Sequence, residues 1–268
     1  MRTRRTRWQA TLVAGLVASA SLVAAAPKPS LAEIVTTLNG VDEDAAARSA
    51  AALGDRPETA AHEALLDALA WGAAPAVTVA EIVAVARHPA PPDVAALRRV
   101  AGHHDPNVRG PALEALAMYP DPAARAAIAE GLRDPNASVR ASAARAAVKG
   151  HVRAAIDPLL ALLGLGEESA ARALAAMADP ELVRRIGDQL GKVPDPTLAL
   201  CLGLVLQRAD FGPDSERVDI VHALGKIKDP AADGALADYV RTAPKNPPRA
   251  SVVEAQKMIE ARGAGGGS

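Results

Sequence analysis

The sequence predicts an all-α protein, a right-handed α-solenoid of about six or seven helical hairpins. Segments of similar sequence recur every 31 or 32 residues, and seven Asp-Pro pairs punctuate the 268-residue chain. No stretch alternates apolar and polar residues for long enough to indicate a β-strand. A period of this size, filled by two helices, is typical of a solenoid in which each unit buries its apolar side against the next.

The repeats are clearest at the helix starts. Val108 and Arg109 recur 31 residues later as Val139 and Arg140, and a further step of 32 residues reaches Arg172. In the Asp-Pro pairs, Asp can cap a helix while Pro occupies the first helical position, where its missing N–H is no loss. Three of these pairs lie between amphipathic segments, so we expect each to begin the second helix of a hairpin: Asp121-Pro122, Asp179-Pro180 and Asp229-Pro230.

These motifs resemble the HEAT repeats of the phycobilisome-lyase-like, armadillo-type class. Asp-Pro-x-x-Val-Arg begins the first helices, and Ala223-Leu224-Gly225-Lys226-Ile227-Lys228-Asp229-Pro230 carries the turn motif. The resemblance implies a solenoid over residues 33–262, strongest over residues 105–240, with an irregular junction at residues 194–214. Residues 263–268 are predicted to form a flexible Gly-rich tail. In similar solenoids the repeated Arg ties neighbouring repeats together, which implies a ladder of Asp105, Arg109, Asp134, Arg140 and Arg172.

The first 32 residues have the pattern of a secretory signal peptide. Four arginines among residues 2–7 precede the apolar run of residues 10–26, and Ser30-Leu31-Ala32 offers small residues for cleavage before Glu33. We therefore expect a periplasmic or secreted protein without a stable membrane span after cleavage. The alternative is an uncleaved anchor, although polar residues interrupt the run and it is shorter than the ~20 residues of a spanning helix.

Composition limits the function classes. Without the leader, 25 basic and 31 acidic residues remain, and a net charge of −6 gives no general attraction for nucleic acid. The single cysteine, Cys201, lies in an apolar run and is predicted to be a buried, inert thiol. Because aromatic residues make up only 2% of the chain, the core must be built from Ala, Leu, Val and Ile, which suits close helix packing.

Candidate enzyme sites are sparse, so we predict no catalytic residues, metal or cofactor. His62-Glu63 is similar to one His-Glu pair of deoxyhypusine hydroxylase, a HEAT-repeat di-iron enzyme, but that centre needs several pairs, and we expect a solvated His62. His103-His104 is read as a polar turn before the Asp105 cap. The alternative function kept open is a lyase-type or metal-dependent enzyme subunit on the same fold.

The charge distribution suggests a protein-binding surface. Residues 98–153 contain nine basic and five acidic side chains, whereas both flanks are acidic. If the second helices line the concave wall, arginines from successive repeats would project there and form a groove for an acidic segment of another protein, or for an anionic lipid or cell-wall polymer. The competing interpretation is that these arginines are ordinary solvated charges paired with nearby acids. The candidate residues are Arg98, Arg99, Arg125, Arg133 and Arg153.

Overall fold

A computed structural model describes residues 29–244, 247 and 249–265. Over these residues the chain forms fifteen α-helices and one short 3-10 turn, η1, with no β-strand. The predicted all-α solenoid is confirmed. The helices are α1 Leu31–Leu38, α2 Glu43–Gly54, α3 Thr59–Trp71, α4 Pro75–Val85, α5 Asp93–Val100, α6 Pro106–Leu116, α7 Pro122–Gly131, α8 Ala137–Lys149, η1 Arg153–Ala155, α9 Ile156–Gly164, α10 Glu168–Met177, α11 Pro180–Gly187, α12 Asp195–Gln207, α13 Asp214–Lys226, α14 Pro230–Thr242 and α15 Ala250–Gly265.

The helices form two layers. Each even-numbered helix from α2 to α14 packs against the next even-numbered helix, and the odd-numbered helices cover them on one side. The described chain thus contains seven hairpins, α2–α3 through α14–α15, preceded by α1, in agreement with the predicted number. One continuous core of Ala, Leu, Val and Ile lies between the layers. Each hairpin therefore relies on its neighbours to cover its apolar side.

The Asp-Pro pairs act as helix starts. Asp121 and Asp179 accept hydrogen bonds from backbone N–H groups at the starts of α7 and α11, as predicted for second helices. Asp229 likewise caps α14. However, α14 packs in the even-numbered layer with the first helices, so its assignment as a second helix was wrong. The preceding helix in that layer is the very apolar α12. The Asp-Pro pair before α14 therefore begins an even-numbered helix, whereas the pairs before α7 and α11 begin odd-numbered helices.

The predicted irregular junction is a tight turn held by a buried arginine. Arg217, 2% exposed, donates hydrogen bonds to the carbonyl oxygens of Leu206, Arg208 and Phe211 at 2.6–2.8 Å. Its guanidinium also lies 5.6 Å from the centroid of the Phe211 ring. These contacts fix the path from α12 into α13.

Both ends of the solenoid differ from the predicted boundaries. Ser30 caps α1 in a capping box with Glu33, and the first helical residues are Leu31 and Ala32. Cleavage after Ala32 would therefore remove this cap; residues 1–28 of the predicted leader lie outside the described residues. At the other end α15 continues to Gly265, so the first half of the predicted tail is helical, and residues 266–268 lie outside the described residues.

Candidate protein-binding surface

The even-numbered helices approach one another unusually closely because small residues meet at their contacts. A Cβ added to Gly54 in α2 would lie 2.8 Å from Ala84 in α4, and one added to Gly203 in α12 would lie 2.8 Å from Ala235 in α14. No side chain larger than hydrogen fits at these two glycines without moving a helix. The small contact residues thus set the spacing of the layer.

This spacing predicts the direction in which the solenoid curves. The even-numbered helices touch their neighbours along much of their length, whereas most odd-numbered helices meet the next odd-numbered helix only locally. A two-layer stack bends towards the layer with the smaller spacing, so we expect the even-numbered helices to form the inside of the curve. The inner face is the name we give to those side chains of the even-numbered helices that point away from the odd-numbered layer.

Shallow grooves separate neighbouring helices on the inner face. The groove between α8 and α10 has a volume of about 310 Å³ and is lined by small residues together with Arg145 and Arg172. A second groove of about 280 Å³ separates α12 from α14 and includes Leu200 and Leu204. Because both grooves follow the helix axes, they could receive an extended or helical segment of another chain.

The inner-face charges near the first groove are paired. Arg145 donates to the carboxylate of Glu114 on α6 at 2.5 Å, and Arg172 donates to Glu168 on its own helix at 3.1 Å. These pairs are exposed, so each contributes little to stability. Because these arginines are neutralised by glutamates and lie beside small apolar residues, this part of the inner face has no strong net electrostatic field.

The five arginines of the predicted binding surface lie on the opposite layer. Arg98 and Arg99 belong to α5, Arg125 to α7, Arg133 to the turn after α7, and Arg153 to η1. They thus belong to the widely spaced odd-numbered layer, whereas we expect the closely spaced even-numbered layer to be the concave one. Their role in protein binding stays a prediction.

Their contacts divide these arginines into paired and unpaired groups. Arg99 donates to the carbonyl oxygen of Leu69, Arg133 contacts Glu130 at 3.2 Å, and Arg153 contacts Asp179 at 2.9 Å. Among the described residues, Arg98 and Arg125 contact no carboxylate. Arg98 and Arg133 line one open depression of about 580 Å³.

The arginine ladder exists in part. Arg109 reaches forward to Asp134, and Arg140 reaches forward to Glu167, with Nε to carboxylate distances of 2.7 and 2.8 Å. Both guanidinium groups also bind carbonyl oxygens of the turn before their own helix. The hydrogen bond from Arg109 lowers the pKa of the Asp134 carboxyl. These charge-assisted hydrogen bonds connect successive hairpins.

Two predicted members of the ladder take other roles. Asp105 caps α6 through the N–H of Asn107. Arg172 pairs within its own helix because the true repeat is 31 residues, which makes buried Ala171 the equivalent of Arg140. A shift of one residue turns a helical side chain by about 100°. Arg172 therefore points to solvent.

A buried polar network was not foreseen from the sequence. The Asp93 carboxylate, 0% exposed, contacts His62 Nε2 at 2.6 Å and accepts hydrogen bonds from Tyr119 Oη at 2.7 Å and Ala90 N–H at 2.8 Å. His62 is half-buried, so its predicted solvated state was wrong. Burial and the Asp93 carboxylate raise the pKa of Tyr119. Because both carboxylate oxygens are satisfied, the network has the properties of a structural link between α3, α5 and the turn after α6.

Reactive groups are scarce in the described part of the chain. Cys201 is fully buried, and burial raises the pKa of its thiol to about 12, as expected for an inert thiol. His103 accepts a hydrogen bond from the Asp105 N–H, in keeping with a polar turn. Within residues 29–244, 247 and 249–265, no group of three or more His, Cys, Asp or Glu side chains is arranged to hold a metal ion. None of the helices in these ranges has the length and apolar character needed to cross a bilayer.

Comparison with known sequences supports the repeat assignment. Residues 63–149 and 94–178 match the family model described as HEAT repeats. This region includes the ladder, Asp93 and Tyr119 of the buried network, and α4 to α9. No curated protein matches the sequence.

Solved structures share the fold at low sequence identity. Kap121p is 16% identical with a TM-score of 0.52, and Kap121p bound to Ste12p is 15% identical with a TM-score of 0.51. Each match covers 85% of this chain, but only 29% and 28% of the respective Kap121p chains. The complex of CpcE and CpcF of phycocyanin lyase from Nostoc sp. gives 17% identity and a TM-score of 0.47, covering 89% of this chain and 97% of that chain.

Proposed function

We propose that the chain is an exported, non-enzymatic scaffold that binds another protein through its inner face. The observation that carries this proposal is the continuous layer of closely spaced helices with grooves between them. A curved, repetitive surface of this kind suits recognition of an elongated partner segment. The structure of Kap121p, a protein of similar fold, has been solved bound to Ste12p, and this supports the proposal.

The inner face offers packing surface more than charge. Ala141, Ala176 and Leu204 are partly or fully exposed on it, and its central arginines are paired with glutamates. Affinity at such a surface depends on apolar and aromatic anchors of the partner that fill the grooves. An acidic partner segment would instead select the unpaired Arg98 and Arg125 on the outer layer.

Export rests on the leader pattern of residues 1–32. Sequencing the N-terminus of the protein recovered from its native cells tests this part separately from binding. A start between residues 27 and 33 in the extracytoplasmic fraction agrees with export, whereas an intact Met1 in the cytoplasm contradicts it.

Partner capture with two matched variants tests the binding surface. The inner-face variant carries Ala141→Glu and Ala176→Glu, and the outer-layer variant carries Arg98→Glu and Arg125→Glu. We expect the inner-face variant to capture at least ten-fold less partner, because it places one carboxylate in the groove beside α8 and a second on the exposed side of α10. The outer-layer variant should capture as much partner as the unaltered protein does. Loss only in the outer-layer variant would contradict the inner face and favour the arginine surface.

A further inference from the structure

An unfilled pocket lies near the N-terminal end of the solenoid. It has a volume of about 600 Å³ and is bordered by the α1–α2 turn, α2, the end of α3, the α3–α4 loop and α4. Most of its lining residues are apolar, and Glu81 is a buried acid among them. The lining includes Leu38, Val41, Trp71, Val77 and Glu81, together with the exposed Glu43.

Glu81 occupies a position that is apolar in the next two repeats. The 31-residue period that aligns Val77 with Val108 aligns Glu81 with Ala112 and, one repeat later, with Ala143. Both alanines are fully buried, and Glu81 is only 1% exposed. A carboxyl group therefore stands where the following repeats place a methyl group in the core.

The Glu81 carboxyl lacks a partner. Its Oε2 atom is buried and accepts no hydrogen bond from any described residue. No basic side chain lines the pocket. Desolvation raises the pKa of Glu81 to about 7. Burying an unpaired polar group costs free energy, and native proteins seldom retain one without a reason.

The pocket rim exposes large apolar side chains. Trp71 is 90% exposed at the end of α3, and Val41 is fully exposed in the α1–α2 turn. An exposed indole face attracts cations as well as apolar groups. An acid at the base and an apolar rim together match a ligand with a positive head on an apolar stem.

We propose that this pocket binds a lysine side chain of the partner protein, with the ammonium group at Glu81 and the methylene stem beside Trp71 and Val77. Lysine fits better than arginine, because a compact ammonium can serve one unpaired oxygen, while a guanidinium fork is suited to two. The source of the lysine rests on the proposed scaffold function. A free primary amine shares the same chemistry and is distinguished by the test.

Fluorescence of Trp71 gives a direct readout. The chain contains two tryptophans, Trp8 and Trp71, so the full chain with Trp8→Phe reports on Trp71 alone. The probes are the peptide acetyl-Gly-Lys-Gly-amide, the same peptide with norleucine in place of lysine, and n-butylamine. We expect the lysine peptide to bind at least ten-fold more tightly than the norleucine peptide and more tightly than butylamine.

Variants then test the role of the acid. Glu81→Gln and Glu81→Ala, the latter carrying the residue of the next two repeats, should each weaken lysine-peptide binding at least ten-fold. Glu63→Gln, which changes an exposed acid on α3 outside the pocket, should leave binding unchanged.

Three outcomes would overturn the proposal. Equal binding of the lysine and norleucine peptides would reduce the pocket to an apolar patch, and this comparison needs no variant. Binding of butylamine as tight as that of the lysine peptide would assign the pocket to free amines. Unchanged binding in a folded Glu81→Gln protein would exclude the acid. If the pocket fails while inner-face variants still lose the partner, the scaffold function stands.

Discussion

Arg109 donates two parallel hydrogen bonds to the carboxylate of Asp134, from Nε at 2.7 Å and from Nη2 at 2.8 Å. The two residues belong to successive hairpins, and both side chains are more than four-fifths buried. Asp134 also accepts from the N–H of Asn136, the residue that caps α8. The pair thus couples the helix start of one repeat to the first helix of the repeat before it.

Removal of one partner of this pair should destabilise the protein. We expect Arg109→Ala to lower the free energy of unfolding by about 3 kcal/mol, because it leaves a buried carboxylate without its counter-charge. Arg133→Ala, which removes an exposed ion pair, should change it by less than about 0.5 kcal/mol. Urea unfolding monitored by circular dichroism measures both. Equal effects of the two changes would contradict a structural role for the ladder.

The same pair should contribute to acid sensitivity. The folded-state pKa of Asp134 is lowered from its usual value of 3.8, chiefly by the hydrogen bond from Arg109. Its stabilisation is therefore complete above pH 3.8 and is lost as the pH falls through the lower folded-state pKa. Relative to the unaltered protein, Asp134→Asn should be less stable at pH 7, and the difference should shrink at acidic pH. A difference that grows on acidification would be inconsistent with this sign.

Two glycine changes separate helix spacing from helix propensity. Gly203→Ala places a methyl group 2.8 Å from Ala235 and should destabilise the protein by about 1–3 kcal/mol through overpacking. Gly234→Ala is also within a helix but meets no atom within 4 Å, so it should stabilise by up to about 1 kcal/mol. Thermal unfolding of both variants checks the opposite signs. Stabilisation in both would show that α12 and α14 are not in close contact.

Two tyrosine changes test the buried network. Tyr119→Phe removes a hydrogen bond to the Asp93 carboxylate, for which we expect a loss of about 1.5–3 kcal/mol. Tyr239→Phe, the matched control, removes a bond to the Ser251 hydroxyl and should cost about 0.5–1.5 kcal/mol. Denaturant unfolding compares them. A larger loss at Tyr239 would argue against a charge-assisted bond at Asp93.

Replacement of Glu81 should stabilise the unliganded protein at high pH. Its folded-state pKa of about 7 exceeds the usual value of 4.5, because burial disfavours the charged form. The folded state thus retains the proton longer than the unfolded state, and stability falls as the pH rises from 4.5 to 7. Relative to the unaltered protein, Glu81→Gln should gain up to about 3 kcal/mol between pH 4 and pH 8. An unchanged difference across this range would show that Glu81 is not desolvated.

The local features of the fold were accessible from the sequence because they depend on neighbouring residues. Asp121, Asp179 and Asp229 cap helices two or three residues away, as their Asp-Pro context predicts. The forward reach of Arg140 to Glu167, which precedes the next even-numbered helix, was not predicted. That choice depends on how hairpins stack, which no local pattern encodes.

The candidate site was less predictable than the fold. Burial of Asp93 and Glu81 results from contacts between helices that are distant in sequence, and a charged residue in a helical stretch ordinarily indicates a solvated position. The 31-residue alignment of Glu81 with Ala112 was the available signal. The five arginines lie on the odd-numbered layer, and the glycine contacts that set the close spacing of the even-numbered layer join residues of different repeats.

Site-specific photo-crosslinking to the captured partner tests the central claim most directly. A benzophenone side chain is introduced at Ala176 or Leu204 on the inner face and, as the control, at exposed Ala126 on the outer layer. We predict crosslinks to the same partner from both inner positions and none from the outer one. Crosslinks from Ala126 alone would place the partner on the outer layer and contradict the account.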